Sequence, residues 1–335
     1  MAKEGKKLMT KPETNKAYFA AIDLGTNSCK AVIADEERNY VYSEAFSVRM
    51  GEGMYRDMCF TPEAIERGVK CFYDLKQVMA DYNIVKCRAV STASCRMAKN
   101  ADEFIKKVYH EAMIPIEVID GFEEARINLK GALQHVCGQT KYVVLYDLGG
   151  GSTEITLATN THDPEIIHTI SIPWGARNAS EAFELVEYDA EKADRLKAEI
   201  TSCVRGFVAD CSLEKYRGDL CFVATSSTPL RFVSMIEKFG KYDRDKSDGH
   251  CIRCMDIDRQ IERIFKMKQP EMLEDPYIGK KRSYIFTAAC VIFKTIYDCL
   301  GAEKITASLK SAKDGIIEEL VAEYQQQMAK AEKNG

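Results

Sequence analysis

The sequence predicts an α/β fold built twice over, as two domains that each alternate strands with helices. Three observations carry that prediction. At 335 residues the chain has room for about two domains. A strand–turn–strand segment at residues 18–34 recurs at 141–158, with Asp23-Leu24-Gly25-Thr26-Asn27-Ser28 aligned over Asp147-Leu148-Gly149-Gly150-Gly151-Ser152 at an offset of 124 residues. Elsewhere, short apolar runs bounded by turn residues alternate with stretches of helical periodicity. Two such turns in register suggest a duplicated domain with a cleft between the copies.

The elements follow in order. Residues 1–16 are basic and polar and read as a disordered tail. Apolar residues run from Tyr18 to Asp23, a Gly/Thr/Asn/Ser cluster breaks the run, and Lys30 to Ala34 resumes it. Thr61-Pro62-Glu63 opens a helix to about Tyr82, with Thr61 as N-cap and proline at the first helical position. Cys87 to Thr92 reads as a strand, and Asn100-x-x-Glu103 as a capping box for a helix to about Met113. Ile116 to Ile119 is a short strand and Phe122 to His135 a helix. After a short hinge near 137–141 come the second hairpin, a strand at Ile166 to Ile172, a helix at Glu187 to Asp210 and a strand at Asp219 to Ala224. Helices near 229–239, 256–267 and 282–300 follow, and a charged amphipathic helix closes the chain over 312–331.

Composition narrows the function classes. Hydrophobic residues make up 46% and charged residues 29%, which excludes a disordered chain, and no apolar run reaches the roughly 18 residues of a membrane span. A net charge of −4 disfavours a general nucleic-acid binder. Thirteen irregularly spaced cysteines fit a reducing compartment, and the N-terminus lacks the apolar stretch of a signal peptide. A soluble, cytoplasmic protein is expected, with no nucleic-acid or membrane partner.

The paired turns carry the chemistry. A turn of Gly, Thr, Asn and Ser presents successive backbone N–H groups beside hydroxyls, and such a nest suits phosphate oxygens. The aspartate ending each strand could hold hydrated Mg²⁺, which prefers one or two carboxylates plus phosphate oxygens. Either hairpin alone could be ordinary turn chemistry. Their agreement favours phosphate.

DLGTNS and DLGGGSTE at this separation resemble the two phosphate motifs of the actin, Hsp70 and sugar-kinase superfamily. Within it, the chain resembles the exopolyphosphatase/guanosine pentaphosphate phosphohydrolase (Ppx/GppA) family, through Arg49-Met-Gly-Glu-Gly53, Ser91 to Asn100, Ile116 to Arg126 with its EEAR, Asp147 to Glu154, and Ser171-Ile-Pro-Trp-Gly-Ala176. The resemblance implies two ribonuclease-H-like (actin-like) domains with mixed sheets, one over 17–137 joined by a C-terminal helix at 312–331 and one over 138–311. It also implies that the further C-terminal domain of longer members is missing.

The same resemblance implies site residues. Glu124 matches the glutamate that activates the attacking water, although carboxylates in a first helical turn are also favoured by the helix dipole alone. Glu154 is implied as a second catalytic residue and, with Asp23 and Asp147, as a metal ligand. Phosphate contacts fall to Gly25, Thr26, Asn27, Ser28, Arg96, Gly149, Gly150, Gly151, Ser152 and Thr153, where the forked donors of Arg96 suit dispersed negative charge. The expected activity is release of terminal orthophosphate from polyphosphate, guanosine pentaphosphate or both, with Mg²⁺ as cofactor and a homodimer as assembly.

Some segments depart from the family pattern. Ser226-Ser227 stands where a Gly-Gly pair is usual, which removes the close approach a nucleoside would use. Arg282-Ser-Tyr lacks the usual Ala-Asp, and Ser308 with Lys313-Asp314-Gly315 keeps part of a Ser…Arg-Glu-Gly pattern. Two alternatives stay open: an ATP-dependent small-molecule kinase, against which the missing glycine pair counts, and a non-catalytic polyphosphate or alarmone sensor, which the altered second domain motivates. His250-Cys251-x-x-Cys254 lacks the remaining ligands of a zinc site and reads as reduced thiols. Lys280-Lys281-Arg282 is a solvated cluster or a guide for a polyanion.

Overall fold

Each repeated segment forms the hairpin that its sequence implies, and around each hairpin a separate six-stranded sheet is built. The structure is a computed structural model that describes residues 3–10, 13, 16–133 and 140–334. The chain divides into two units, Met1–Gly131 with Ala312–Gly335, and Ala132–Ser311. The hinge expected near 137–141 and the expected helix end at His135 fall wholly or partly outside the described residues. No helix among the described residues is long and apolar enough to cross a membrane.

The first unit contains strands β1 (Lys3–Met9), β2 (Tyr18–Leu24), β3 (Cys29–Asp35), β4 (Tyr40–Phe46), β5 (Ile84–Ser91) and β6 (Ile116–Val118), in the order β1-β4-β3-β2-β5-β6. The pairs from β1 to β2 are antiparallel, whereas β5 and β6 run parallel to β2. Its helices are α1 (Pro62–Met79), α2 (Ala93–Met97), α3 (Ala101–Ala112) and α4 (Gly121–Ala132). Strand β2 is apolar on both faces because both are covered. Tyr18, Ala20 and Ile22 pack with Phe72 and Leu75 of α1 and Phe104 of α3. Phe19 and Ala21 instead pack with Ile127 of α4 and with Ile316, Ile317 and Val321.

The second unit contains β7 (Tyr142–Leu148), β8 (Thr153–Thr159), β9 (Ile166–Ile172), β10 (Leu220–Thr225), β11 (Cys251–Arg253) and β12 (Lys304–Ser308), ordered β11-β12-β10-β7-β8-β9. Its helices are α5 (Ala176–Ala182), α6 (Ala190–Asp210), α7 (Ser227–Ile236), α8 (Arg244–Ser247), α9 (Cys254–Lys266), α10 (Gln269–Glu274) and α11 (Phe286–Leu300). Setting aside β1 and β11, both sheets have a central first strand, two antiparallel strands on one side and two parallel strands on the other. The duplication thus extends from two turns to two whole mixed sheets flanked by helices.

Three local expectations change. Lys3–Met9, within the expected tail, is an edge strand paired with β4. Its lysine-rich sequence has no apolar alternation to read, because backbone bonds make the pairing, and lysines are common on edges that must not recruit another strand. Strand β4 itself, absent from the sequence reading, completes the first meander. The capping box at Asn100 does not form, since that amide donates to the Phe60 carbonyl and accepts from its N–H at 3.0 and 2.8 Å. The Thr61 cap does form, accepting from Ala64 N at 3.2 Å.

The C-terminal helix α12 (Ala312–Asn334) belongs to the first unit. A Cβ on Gly315 would lie 2.0 Å from the Ile127 carbonyl oxygen, so only glycine permits this crossing with α4. Further along, Glu319 accepts from Arg88 at 3.0 Å and pairs with Arg126, and both arginines also hold Glu123. The Arg126 hydrogen bond, helped by Arg88 and opposed by burial, lowers the Glu123 carboxyl to about 2. A depressed carboxylate contributes stability above its unfolded value of about 4.5 and loses it as pH falls through the folded value. The difference in melting temperature between wild type and Glu123→Gln is therefore expected to be flat above pH 5 and to shrink towards pH 2. Thermal unfolding across that range checks it.

Candidate active site

In a trans peptide the C=O of one residue and the N–H of the next point in opposite directions. That rule sets what both hairpin turns present. In the first turn Gly25 N donates to Ser28 O at 3.0 Å, while the carbonyls of Thr26 and Asn27 accept from Gly51 N and Arg49 N, each at 3.0 Å. The N–H groups of Asn27 and Ser28 therefore face away from the 49–51 loop. Arg67 holds that loop through Val48 O at 2.8 Å and Arg49 O at 3.1 Å.

The second turn repeats the device with one more peptide. Gly149 N donates to Ser152 O at 3.0 Å, matching the Gly25 bond. Gly149 O accepts from Ala176 N at 2.9 Å and Gly150 O from Arg177 N at 2.8 Å, both at the start of α5. Gly151 O accepts from the Asn178 side chain at 2.9 Å. Three consecutive N–H groups, on Gly150, Gly151 and Ser152, are thereby turned away from α5 as a ready anion nest. Gly175 lies directly behind the turn, and Thr153 is tied to Trp174 O at 2.8 Å.

Ladder register extends each turn into a row of side chains on one sheet face. In the first unit Asp23 lies opposite Lys30, which lies opposite Ala45. In the second, Asp147 lies opposite Glu154, which lies opposite Ser171. The second row continues through Thr225 and Ser308 on the parallel strands. Asp23 is thus partnered by Lys30 Nζ at 3.8 Å, whereas Asp147 faces a second carboxylate. Opposed like charges are destabilising unless a cation lies near. Glu154 is 3% exposed, and its Oε1 accepts from Ser152 Oγ at 2.7 Å and Ser171 Oγ at 2.9 Å. These hard oxygen donors fit Mg²⁺, which needs only one or two carboxylates. Among the expected ligands, Asp147 and Glu154 bring two carboxylates together, while Asp23 lies beside Lys30.

Glu124 sits in the first turn of α4 and is 7% exposed. Asp120 accepts from Glu123 N at 2.8 Å through its side chain and from Glu124 N at 3.0 Å through its carbonyl, fixing the helix start. Arg96 Nη1 donates at 2.8 Å both to Glu124 Oε2 and to Ile119 O. The structure thus brings together two residues predicted for separate roles. Glu123 points instead into the Arg88–Arg126–Glu319 network and is structural.

The loop after β10 carries strain. Ser226 has φ 89° and ψ −178°, a region occupied almost exclusively by glycine at a cost of about 1–3 kcal/mol for other residues. Its side chain gains only a long cap to Thr228 N at 3.4 Å. Ser226→Gly is therefore expected to raise stability by about 1 kcal/mol after the added chain entropy of glycine, as measured by denaturant midpoint. At the His250-Cys251-x-x-Cys254 segment, burial pushes the Cys254 thiol up to about 12, which opposes a thiolate ligand. No group of three or more metal-ligating side chains occurs among the described residues. Sequence reasoning missed the roles of Lys30, Ser171, Gly175 and Asn178, which act through strand register or backbone approach; Ser171 and Gly175 lie in the Ser171-Ile-Pro-Trp-Gly-Ala176 segment that carries the resemblance, but without a task attached.

The Ppx/GppA phosphatase family matches residues 31–323. The bifunctional 3-dehydroquinate synthase/phosphatase of Fusobacterium nucleatum is 29% identical over 308 residues, covering 88% of this chain. The chain spans about half the length of that curated relative, 45% of it being matched. Among solved structures, an exopolyphosphatase-like protein superposes with a TM-score of 0.83 at 22% identity, covering 92% of this chain and 99% of the other. An exopolyphosphatase from Cytophaga hutchinsonii gives 0.78 at 20% identity, with coverages of 91% and 98%. A Ppx/GppA member from Aquifex aeolicus gives 0.74 at 19% identity, with coverages of 93% and 99%. These solved structures share the fold.

Proposed function

The chain belongs to the Ppx/GppA phosphatase family, and from that membership we propose a phosphohydrolase that releases terminal orthophosphate from inorganic polyphosphate, guanosine pentaphosphate or both. The observation that carries the reading is the second turn, whose three carbonyls are captured from one side so that three N–H groups remain for phosphate oxygens. A phosphatase by name in the Fusobacterium relative, and an exopolyphosphatase and an exopolyphosphatase-like protein among the solved structures, support it.

In this reading the first turn supplies the Ser28 N–H to phosphate, with the hydroxyls of Thr26 and Ser28 beside it. Glu124 orients the attacking water and takes its proton, and Arg96 holds the carboxylate in place. Asp147 and Glu154 would hold Mg²⁺. Bound there, the ion would neutralise charge on the phosphate oxygens. Ser226-Ser227, with side chains where close approach needs none, favours a bare phosphate chain over a nucleoside.

The test is orthophosphate release from each substrate by the full chain, with and without Mg²⁺. Turnover of polyphosphate that stops on chelation is expected. A folded preparation that releases phosphate from neither substrate overturns the reading, and tight ATP binding by calorimetry would favour the kinase alternative.

A further inference from the structure

We propose that Ser171 is a positioning residue for Glu154, present to aim a buried carboxylate at a divalent cation. The inference rests on the reading that Asp147 and Glu154 hold that cation. Ser171 lies directly opposite Glu154 in the β8–β9 ladder and donates to Oε1 at 2.9 Å. Ser152, from the anion-binding turn, donates to the same oxygen at 2.7 Å. A glutamate has three side-chain torsions, and two donors converging on one oxygen from separate backbone segments remove that freedom and fix the plane of the carboxylate. Outer partners of metal-ligating carboxylates typically contribute 10–100-fold to metal affinity.

The molecule contains its own control. The first unit has the same sheet order and the same register, yet the position matching Glu154 is Lys30 and the position matching Ser171 is Ala45. Where the row carries a lysine, the third strand offers no hydroxyl. Where it carries a carboxylate, the third strand supplies one. Strand β9 is also the edge of its sheet, and Ser171 is exposed on it, so no packing demand accounts for a serine at that position. The hydroxyl serves the carboxylate.

Mn²⁺ binding to the full chain, followed by calorimetry, tests this without relying on turnover. Ser171→Val, which fills the site and keeps a water from replacing the hydroxyl, is expected to weaken Mn²⁺ affinity about 10-fold. Ser171→Thr restores the donor and should bind within about threefold of wild type, the margin that separates it from a 10-fold loss. Metal-free melting temperatures should match wild type for Ser171→Thr and fall by no more than a few degrees for Ser171→Val, the size of one lost hydrogen bond, excluding a general folding defect. Loss of Mn²⁺ binding in Glu154→Gln with none in Ser171→Val overturns the role of Ser171 and leaves the cation site standing. No Mn²⁺ binding by wild type, or unchanged binding in Glu154→Gln, overturns both.

Discussion

Orthophosphate release is expected to fall by about 10²–10⁴-fold in Glu124→Gln, the usual worth of a general base. Glutamine keeps the shape of the side chain and can still accept from Arg96, which donates to Glu124 Oε2 at 2.8 Å. The sequence alone suggests that only a helix-dipole interaction is lost. The ion pair raises that cost, since replacing a charged hydrogen bond by a neutral one forfeits about 1 kcal/mol. Polyphosphate affinity should persist because the substitution leaves the backbone N–H groups of both turns unchanged. Turnover, affinity and melting temperature measured on one preparation separate the outcomes. Near-normal turnover would reduce Glu124 to a helix-start acid, and a collapse in melting temperature would make it structural.

Gly175→Ala should be as damaging for a different reason. A Cβ there would lie 2.5 Å from Gly150 C, 2.6 Å from Gly151 N and 2.7 Å from Ser152 N. All three are backbone atoms of the second turn and cannot rotate aside. The turn must shift or the start of α5 must separate from it, breaking the bonds from Ala176 and Arg177. Overpacking of this kind costs about 1–3 kcal/mol, and displacement of a binding group by roughly 1 Å can cost 10²-fold in rate. Both a lower melting temperature and a turnover loss of about that size are expected. Unaltered phosphate release would show that the second turn does not hold the reacting phosphate.

What the sequence made legible was local. The two turns were readable because Asp, Gly, Thr and Ser in that order specify a hairpin with exposed amides, and their repetition implied two similar domains. Glu124 was legible only through resemblance, since a carboxylate in a first helical turn has an ordinary explanation. Its partner was not, because the Arg96 contact spans 28 residues and arises where α2 and α4 follow neighbouring parallel strands. The tasks of Ser171, Asn178 and Gly175 were hidden for the same reason, although Ser171 and Gly175 lie in a segment that carries the resemblance: ladder register and backbone approach leave no periodic trace. Asn100 misled, as its amide is better satisfied by the Phe60 backbone 40 residues away than by its own helix.

The return of α12 to the first unit has a consequence for how the chain is made. One face of the first sheet, with Phe19, Ala21, Val32 and Ala34, is finished by Ile316, Ile317, Leu320 and Val321. Those residues emerge from the ribosome only after the whole of Ala132–Ser311 has been synthesised. At about 5–20 residues per second, an apolar sheet surface waits on the order of ten seconds or more for its cover. During that interval the second unit is the part of the nascent chain that can complete a core of its own, so the domain encoded first is finished last.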